Sequence, residues 1–168
     1  MQVKLPAGIE DGLEVYRSVN SVKVVLNGNR CDYLELPLQI REPFQAELIS
    51  DKSALKCLTC TLGITDPDEI EQKFVGCRYG LFDSVPDLKG KTLHPDAPYC
   101  SKIETCEGFD IVCKIPGVKN GKLTRKEYLI IIYVGKGLLD KEIASKLNIE
   151  LSTVRIEIAM WIMDKGVI

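Results

Sequence analysis

Residues 123–165 read LTRKEYLIIIYVGKGLLDKEIASKLNIELSTVRIEIAMWIMDK, and the fold of the C-terminal part turns on this stretch. Thr124 precedes an apolar run and Glu127 follows three residues later. That spacing is a capping box, in which each side chain satisfies a backbone N–H left open at a helix start. It predicts a first helix with Leu129, Ile132 and Tyr133 on one face. Gly135 and Gly137 should end it, because glycine accepts the left-handed turn that closes a C-terminus. Asp140 is the expected N-cap of a second, short helix carrying Ile143, Ala144 and Leu147 at helical spacing. Asn148 and Ile149 make a tight connection. A third helix follows, with Val154, Ile158, Trp161 and Ile162 on a common side.

Two short helices joined by a few residues, with small Ala144 where they cross, form a helix-turn-helix pattern. Over roughly the last quarter of the chain the sequence resembles the LuxR-type DNA-binding domain. The resemblance is carried by Leu123–Thr124, Glu127, Gly137, Lys141–Glu142–Ile143–Ala144, Leu147–Asn148–Ile149 and Thr153–Val154–Arg155. Region four of sigma factors, which also binds DNA, is similar too. A cysteine-rich stretch ahead of such a domain is also similar in arrangement to small regulators of gut bacteria and their phages.

The resemblance implies a transcription regulator that inserts residues 151–163 into the major groove of double-stranded DNA. Ser152, Thr153 and Arg155 would stand near the start of the reading helix, with Arg155 on a guanine edge or a phosphate. Lys141 would touch phosphate, and Lys126 and Lys146 would add positioning contacts. A homodimer is expected, because one short reading helix alone binds weakly and two half-sites raise the affinity. The chain also departs from the family. Glu150 stands where the family has Ser, and Glu157 where it often has His. Ala159, Met160, Met163 and Asp164 fill later polar positions, and the family's fourth, dimerising helix has almost no room before Ile168. Ile156, Met160 and Met163 make the last helix apolar for a groove reader. They suit either a bundle that has lost its DNA or a face for a second copy or a protein partner.

Charge is distributed in keeping with that division. The 168 residues carry a net −2, and 45% apolar with 27% charged is a globular composition. Residues 1–56 net −1, residues 57–118 net −4, and residues 119–168 net +3, from 9 basic and 6 acidic side chains. Positive charge therefore collects where phosphate contact needs it. No apolar run approaches the roughly 18–20 residues that span a bilayer. The first residues, MQVKLPAGIEDGLEV, lack the apolar core of a signal peptide. No membrane association and a cytoplasmic location are expected.

Seven cysteines is a high count for a chain expected in the cytoplasm, and an odd number disfavours a disulfide framework. Cys57 and Cys60 form a Cys-x-x-Cys with the spacing of a zinc knuckle. A loop-rich segment of about sixty residues buries too little apolar surface to hold itself together. A structural zinc ion drawn from Cys57, Cys60, Cys77, Cys100, Cys106 and Cys113 would supply the missing stability. Buried thiols behaving as small apolar residues are the alternative, and a thiol redox role is a third. His94, the single histidine, reads as a loop residue between Leu93 and Pro95.

The remaining chain predicts an α+β fold. Val22, Val24 and Leu26 alternate, Asn27–Gly28–Asn29 intervenes, and Tyr33 to Leu36 resumes, which is a β-hairpin over about 22–36. Residues 1–20 divide between a helix and an irregular lead-in. Pro37 and Pro43 bracket an expected edge segment, with a short strand over Ala46 to Ile49. Asp66–Pro67–Asp68–Glu69 starts a helix reaching Phe74. Pro116 to Gly121 reads as a linker. The expected divisions are a β-containing part over 1–56, a cysteine-rich module over 57–118 and the helix-turn-helix over 119–168.

Catalysis has little to rest on. One histidine rules out a Ser–His–Asp arrangement, and Asp83 and Asp87 sit among turn residues, where Asp is common for backbone reasons. The expected function is therefore non-enzymatic DNA binding in transcription regulation. The alternative is an interaction or assembly protein, encoded by a phage or mobile element, that reuses the helix-turn-helix as a scaffold.

Overall fold

The computed structural model describes residues 5–19, 21–118 and 121–160. The fold is α+β, and the chain divides into two units, Met1–Lys114 and Ile115–Ile168. Among the described residues no helix is long and apolar enough to cross a membrane.

The first unit opens with three antiparallel strands, β1 (Leu13–Arg17), β2 (Val22–Leu26) and β3 (Asn29–Asp32). A hairpin lies over the expected stretch, but its second strand is Asn29–Asp32 and not the expected Tyr33 to Leu36. Asn27 and Gly28 take φ of +51° and +74°, the left-handed pair that a two-residue turn demands. Its second strand stops at Asp32, and a single 3₁₀ turn covers Tyr33–Glu35. The lead-in is a strand, not a helix: Leu13 pairs with Leu26 and Val15 with Val24, so alternate side chains reach one core. Ile9 lies outside that strand and is exposed.

Residues 38–50 correct the reading of a proline-bounded edge segment followed by a strand over 46–49. They form helix α1 (Leu38–Ser50), with Pro43 inside it. Pro37 precedes the first turn, where a missing N–H costs nothing. Arg41, Phe44 and Leu48 recur at helical spacing and are the buried positions, so tertiary packing outweighs the local penalty of Pro43. Helix α2 (Lys52–Lys56) begins at Asp51, whose side chain accepts from Ala54 N at 3.0 Å. It runs into a π-helical turn over Cys57–Thr61.

Helix α3 (Pro67–Arg78) starts where expected. Asp66 caps it by accepting from Glu69 N at 2.9 Å, and the helix runs four residues past Phe74. Gly76 lets it lie close on the sheet, since a Cβ there would come within 2.8 Å of Val22 Cγ2. Strands β4 (Leu88–Lys89) and β5 (Thr92–Leu93) complete a five-stranded antiparallel sheet in the order β3-β2-β1-β4-β5.

One apolar core holds residues from both sides of position 56: Leu13, Val15, Val24, Tyr33 and Phe44 pack with Cys57, Leu58, Phe74, Tyr79 and Val112. Tyr33, Phe44 and Tyr79 stack edge to face in sequence, at centroid distances of 5.9 and 5.0 Å. Arg41 crosses this core to Glu71, with Nη2–Oε2 at 2.6 Å and Nε–Oε1 at 3.0 Å. Tyr33 and Gln45 donate to the same carboxylate, so the buried charges are paired and hydrogen-bonded.

The second unit begins where a linker was expected. It carries a short ribbon, β6 (Gly117–Val118) paired with β7 (Gly121–Lys122). Three helices follow: α4 (Arg125–Gly135), α5 (Asp140–Leu147) and α6 (Leu151–Met160). Their own small core contains Leu129, Ile130, Tyr133, Ile143, Ala144 and Val154.

Candidate functional site

Local sequence sets each turn of the second unit. Thr124 Oγ1 accepts from Glu127 N at 3.3 Å, and Glu127 Oε2 accepts from Thr124 N at 2.6 Å, so the capping box forms in both directions. Gly137 at φ +77° closes α4, with Leu138 N donating to Tyr133 O. The cap of α5 differs from expectation. Leu139 is the N-cap, Glu142 Oε2 accepts from its N–H at 2.7 Å, and Asp140 is already the first helical residue. A carboxylate there still favours the helix start through the dipole. Asn148, at φ +51° and ψ +53°, closes α5, and Ile149 N donates to Ala144 O. Three residues, 148–150, separate α5 from α6. Glu150 O then accepts from Thr153 and Val154.

Around that turn Ile143 and Val154 are wholly buried and Ala144 nearly so, which ties α5 to α6. The positions expected to meet DNA lie on the other side. Ser152, Arg155, Lys141, Lys146 and Lys126 are exposed, and Thr153 is half-buried. Lys146 Nζ stands 5.4 Å from the Tyr133 ring centroid, a cation–π contact that leaves α5 leaning on α4. Arg155 Nε approaches Asp140 Oδ2 at 3.3 Å. Ile156, beside Arg155, is 58% exposed. Trp161, Ile162, Met163, Asp164 and the end of the expected third helix lie outside the described residues.

The six cysteines proposed for zinc are not in one environment. Cys57 is buried in the apolar core, and Cys60, three residues on in the same helical turn, is exposed. Cys77 on α3 and Cys100, Cys106 and Cys113 all line one cavity of about 620 Å³, together with Arg17, Lys73 and Lys102. Burial pushes the Cys77 thiol up to about 11, and Cys113 also upward. Among the described residues no group of three or more His, Cys, Asp or Glu side chains is positioned to hold a metal ion. His94, directly after β5, donates its backbone N–H to Asp87 O, directly before β4.

An acidic cluster that the sequence showed only as the turn residues Asp83 and Asp87 is partly buried. Glu14 on β1 and Asp87 beside β4 are completely buried. Asp87 Oδ2 accepts from Val15 N, and Glu14 Oε1 accepts from Asp83 N, each at 2.7 Å. Asp96 Oδ2 accepts from Leu81 N. Among the described residues, Glu14 Oε2 and Asp87 Oδ1 find no hydrogen-bond partner. Desolvation pushes Glu14 up to about 8; desolvation and then the charge of Asp96 push Asp87 up to about 10. The sequence offered Asp83 and Asp87 only as turn residues, and Glu14, on the face of β1 opposite Leu13 and Val15, carried no signal of its own.

Comparison with family models, curated proteins and solved structures finds no match to this chain.

Proposed function

We propose that this chain is a DNA-binding transcription regulator whose α5–turn–α6 unit works as a helix-turn-helix of the LuxR type. The observation that carries the reading is the split of α6: Val154 is fully buried while Ser152 and Arg155, on either side of it, are exposed. A helix held by one apolar stripe, with polar and cationic side chains outward within its first two turns, has the form a groove reader needs. Arg155 then recognises a base edge or phosphate, Ser152 and Thr153 add contacts at the start of α6, and Lys141, Lys146 and Lys126 hold the phosphate backbone. The protein acts without catalysis, in the cytoplasm, and as a dimer.

A second reading is favoured by the exposure of Ile156 and by the Asp140 carboxylate beside Arg155. In it, the same three helices are the scaffold of an interaction or assembly protein. Selection of bound duplexes from a random DNA pool, run beside Arg155→Ala, separates the two. A regulator yields an enriched sequence whose affinity falls steeply with salt. Arg155→Ala then weakens binding by about 1–3 kcal/mol. No shift of any duplex at low salt would favour the scaffold.

A further inference from the structure

We propose that the cavity of the first unit binds a small organic carboxylate with an apolar body, its hydrocarbon on the apolar wall and its carboxylate between the ammonium groups of Lys73 and Lys102. The volume, about 620 Å³, is that of a pocket which takes a small molecule. Every residue lining it belongs to Met1–Lys114, so the site is complete within that unit. Val22, Leu62, Ile64, Phe109 and Val112 supply the apolar surface, and Val22, Phe109 and Val112 are buried. Half-buried Cys77, Cys100 and Cys106 add soft, weakly polar surface. Lys73 and Lys102 are exposed, which puts the charge at the open side and the apolar wall deeper.

The charge at the cavity runs against that of its surroundings. Residues 57–118 net −4, yet the charged side chains lining the cavity are Arg17, Lys73 and Lys102 against Glu69 alone, a net +2. Arg17 is already engaged. It donates from Nε to Gly80 O at 3.4 Å and from Nη2 to Tyr99 O, which ties the irregular wall to β1. Among the described residues neither Lys73 nor Lys102 is in an ion pair. Two ammonium groups without a counter-charge, above a buried apolar wall, have the polarity of an amphipathic anion. A carboxylate satisfies them with charge-assisted hydrogen bonds, and the hydrocarbon displaces water from the wall.

The backbone around the cavity is irregular on two sides. The π-helical turn over Cys57–Thr61 closes with Leu62 N donating to Cys57 O at 2.9 Å, and Ile64 N donates to Leu58 O at 3.1 Å. Wide turns of this kind recur at functional sites, and this one delivers Leu62 and Ile64 to the cavity. Gly108 also lines it, where a Cβ would stand 3.3 Å from Val112 Cγ2 and 3.6 Å from Cys106 Sγ. Residues 94–116 contain turns and one isolated bridge, Phe109 to Cys113, and no helix or longer strand. Long irregular segments inside a compact unit are uncommon and are usually kept for binding. A molecule in the cavity would lie between that segment and the rigid helix α3, which contributes Gly76 and Cys77.

The test is calorimetric titration of the full chain, purified under reducing conditions, with sodium decanoate, 1-decanol and inorganic phosphate. We expect saturable binding of decanoate, roughly tenfold weaker binding of 1-decanol, and no binding of phosphate. Lys73→Gln combined with Lys102→Gln should weaken decanoate about tenfold and leave 1-decanol unchanged. Ile64→Glu, on the apolar wall, should weaken both. Alkylation of the wild-type thiols reads the location and needs no variant to fold. Decanoate should slow the reaction of Cys100 and Cys106 and leave Cys60, exposed and outside the cavity, at its original rate. Decanoate that fails to saturate, 1-decanol or phosphate that binds as tightly, unchanged reactivity of Cys100 and Cys106, or equal protection of Cys60 would each overturn the assignment. None of these readouts depends on DNA.

Discussion

Arg155 Nε lies 3.3 Å from Asp140 Oδ2, joining the second turn of α6 to the first turn of α5. Both side chains are substantially exposed, so the pair contributes little to stability. If α6 reads DNA as proposed, the consequence is for binding, because the carboxylate would compete with phosphate for Arg155. Asp140→Asn should therefore strengthen binding of duplex DNA and steepen its salt dependence by about one phosphate contact. The melting temperature should stay nearly unchanged. Fluorescence anisotropy over a salt series checks this; weaker binding by the variant would contradict the role given to Arg155.

Val154 anchors α6 to the small core of the second unit. Val154→Ala should cost roughly 1–3 kcal/mol, from lost transfer free energy and the space left behind. Ser152→Ala, on the exposed side of the same turn, should leave stability within about 0.5 kcal/mol. Denaturant melts followed by helical circular dichroism measure both.

Glu71 is the shared acceptor of Arg41, Tyr33 and Gln45. Glu71→Ala would leave the buried Arg41 guanidinium with only a longer contact to the exposed Asp68 carboxylate, at 3.5 Å, at a cost of about 3 kcal/mol. Replacing both residues by Met should be milder than the single change, because no charge is stranded. A double-mutant cycle in urea reads the coupling directly.

Stability should also have a signed dependence on pH. Glu14 and Asp87 have folded-state values raised to about 8 and about 10, so the folded state binds protons that the unfolded chain has already released. Stability must then fall as pH rises from about 4 toward 8 and beyond. Glu14→Gln should flatten that decline. The opposite limb comes from Asp51 and Glu71. Burial raises both, but Ser53, Ala54 N–H and Arg78 outweigh it at Asp51, and Arg41, Gln45 and Tyr33 outweigh it at Glu71. Their net lowering supplies stability above about pH 4 that is lost as pH falls further. Thermal melts from pH 3 to 9 should show a maximum on the acidic side of neutrality. A curve still rising from pH 6 to 9 would refute the account.

Where one short-range interaction decides the backbone, the sequence was legible. The Asn27–Gly28 turn, the Asp66 cap and the reciprocal Thr124–Glu127 pair were all readable, because each is settled within four residues. Pro43 misled because its local penalty is real but smaller than the burial of Phe44 and Leu48 across the core. Strand β1 was missed although Arg17 pairs with Val22 nearby, because Glu14 is buried between Leu13 and Val15 and the partner on its other edge, Leu88, is distant in sequence. The cysteines follow the same logic. Cys-x-x-Cys drew attention to Cys57 and Cys60, which the fold separates into core and surface, whereas Cys77 comes to line the same cavity as Cys100, Cys106 and Cys113 only through the tertiary fold.

Arg78 shows what that dependence means for the chain's history. Its guanidinium reaches Glu47 and Asp51 on one side and the carbonyl oxygens of Ile111 and Val112 on the other. Lys114 then closes on Asp51 at 3.4 Å. A descendant shortened ahead of Ile111 would strip this arginine of half its acceptors and leave a cation in the interior. The irregular stretch between β5 and the second unit is therefore not dispensable ballast: mutation can vary its length and wording, but evolution cannot discard its end without first replacing Arg78.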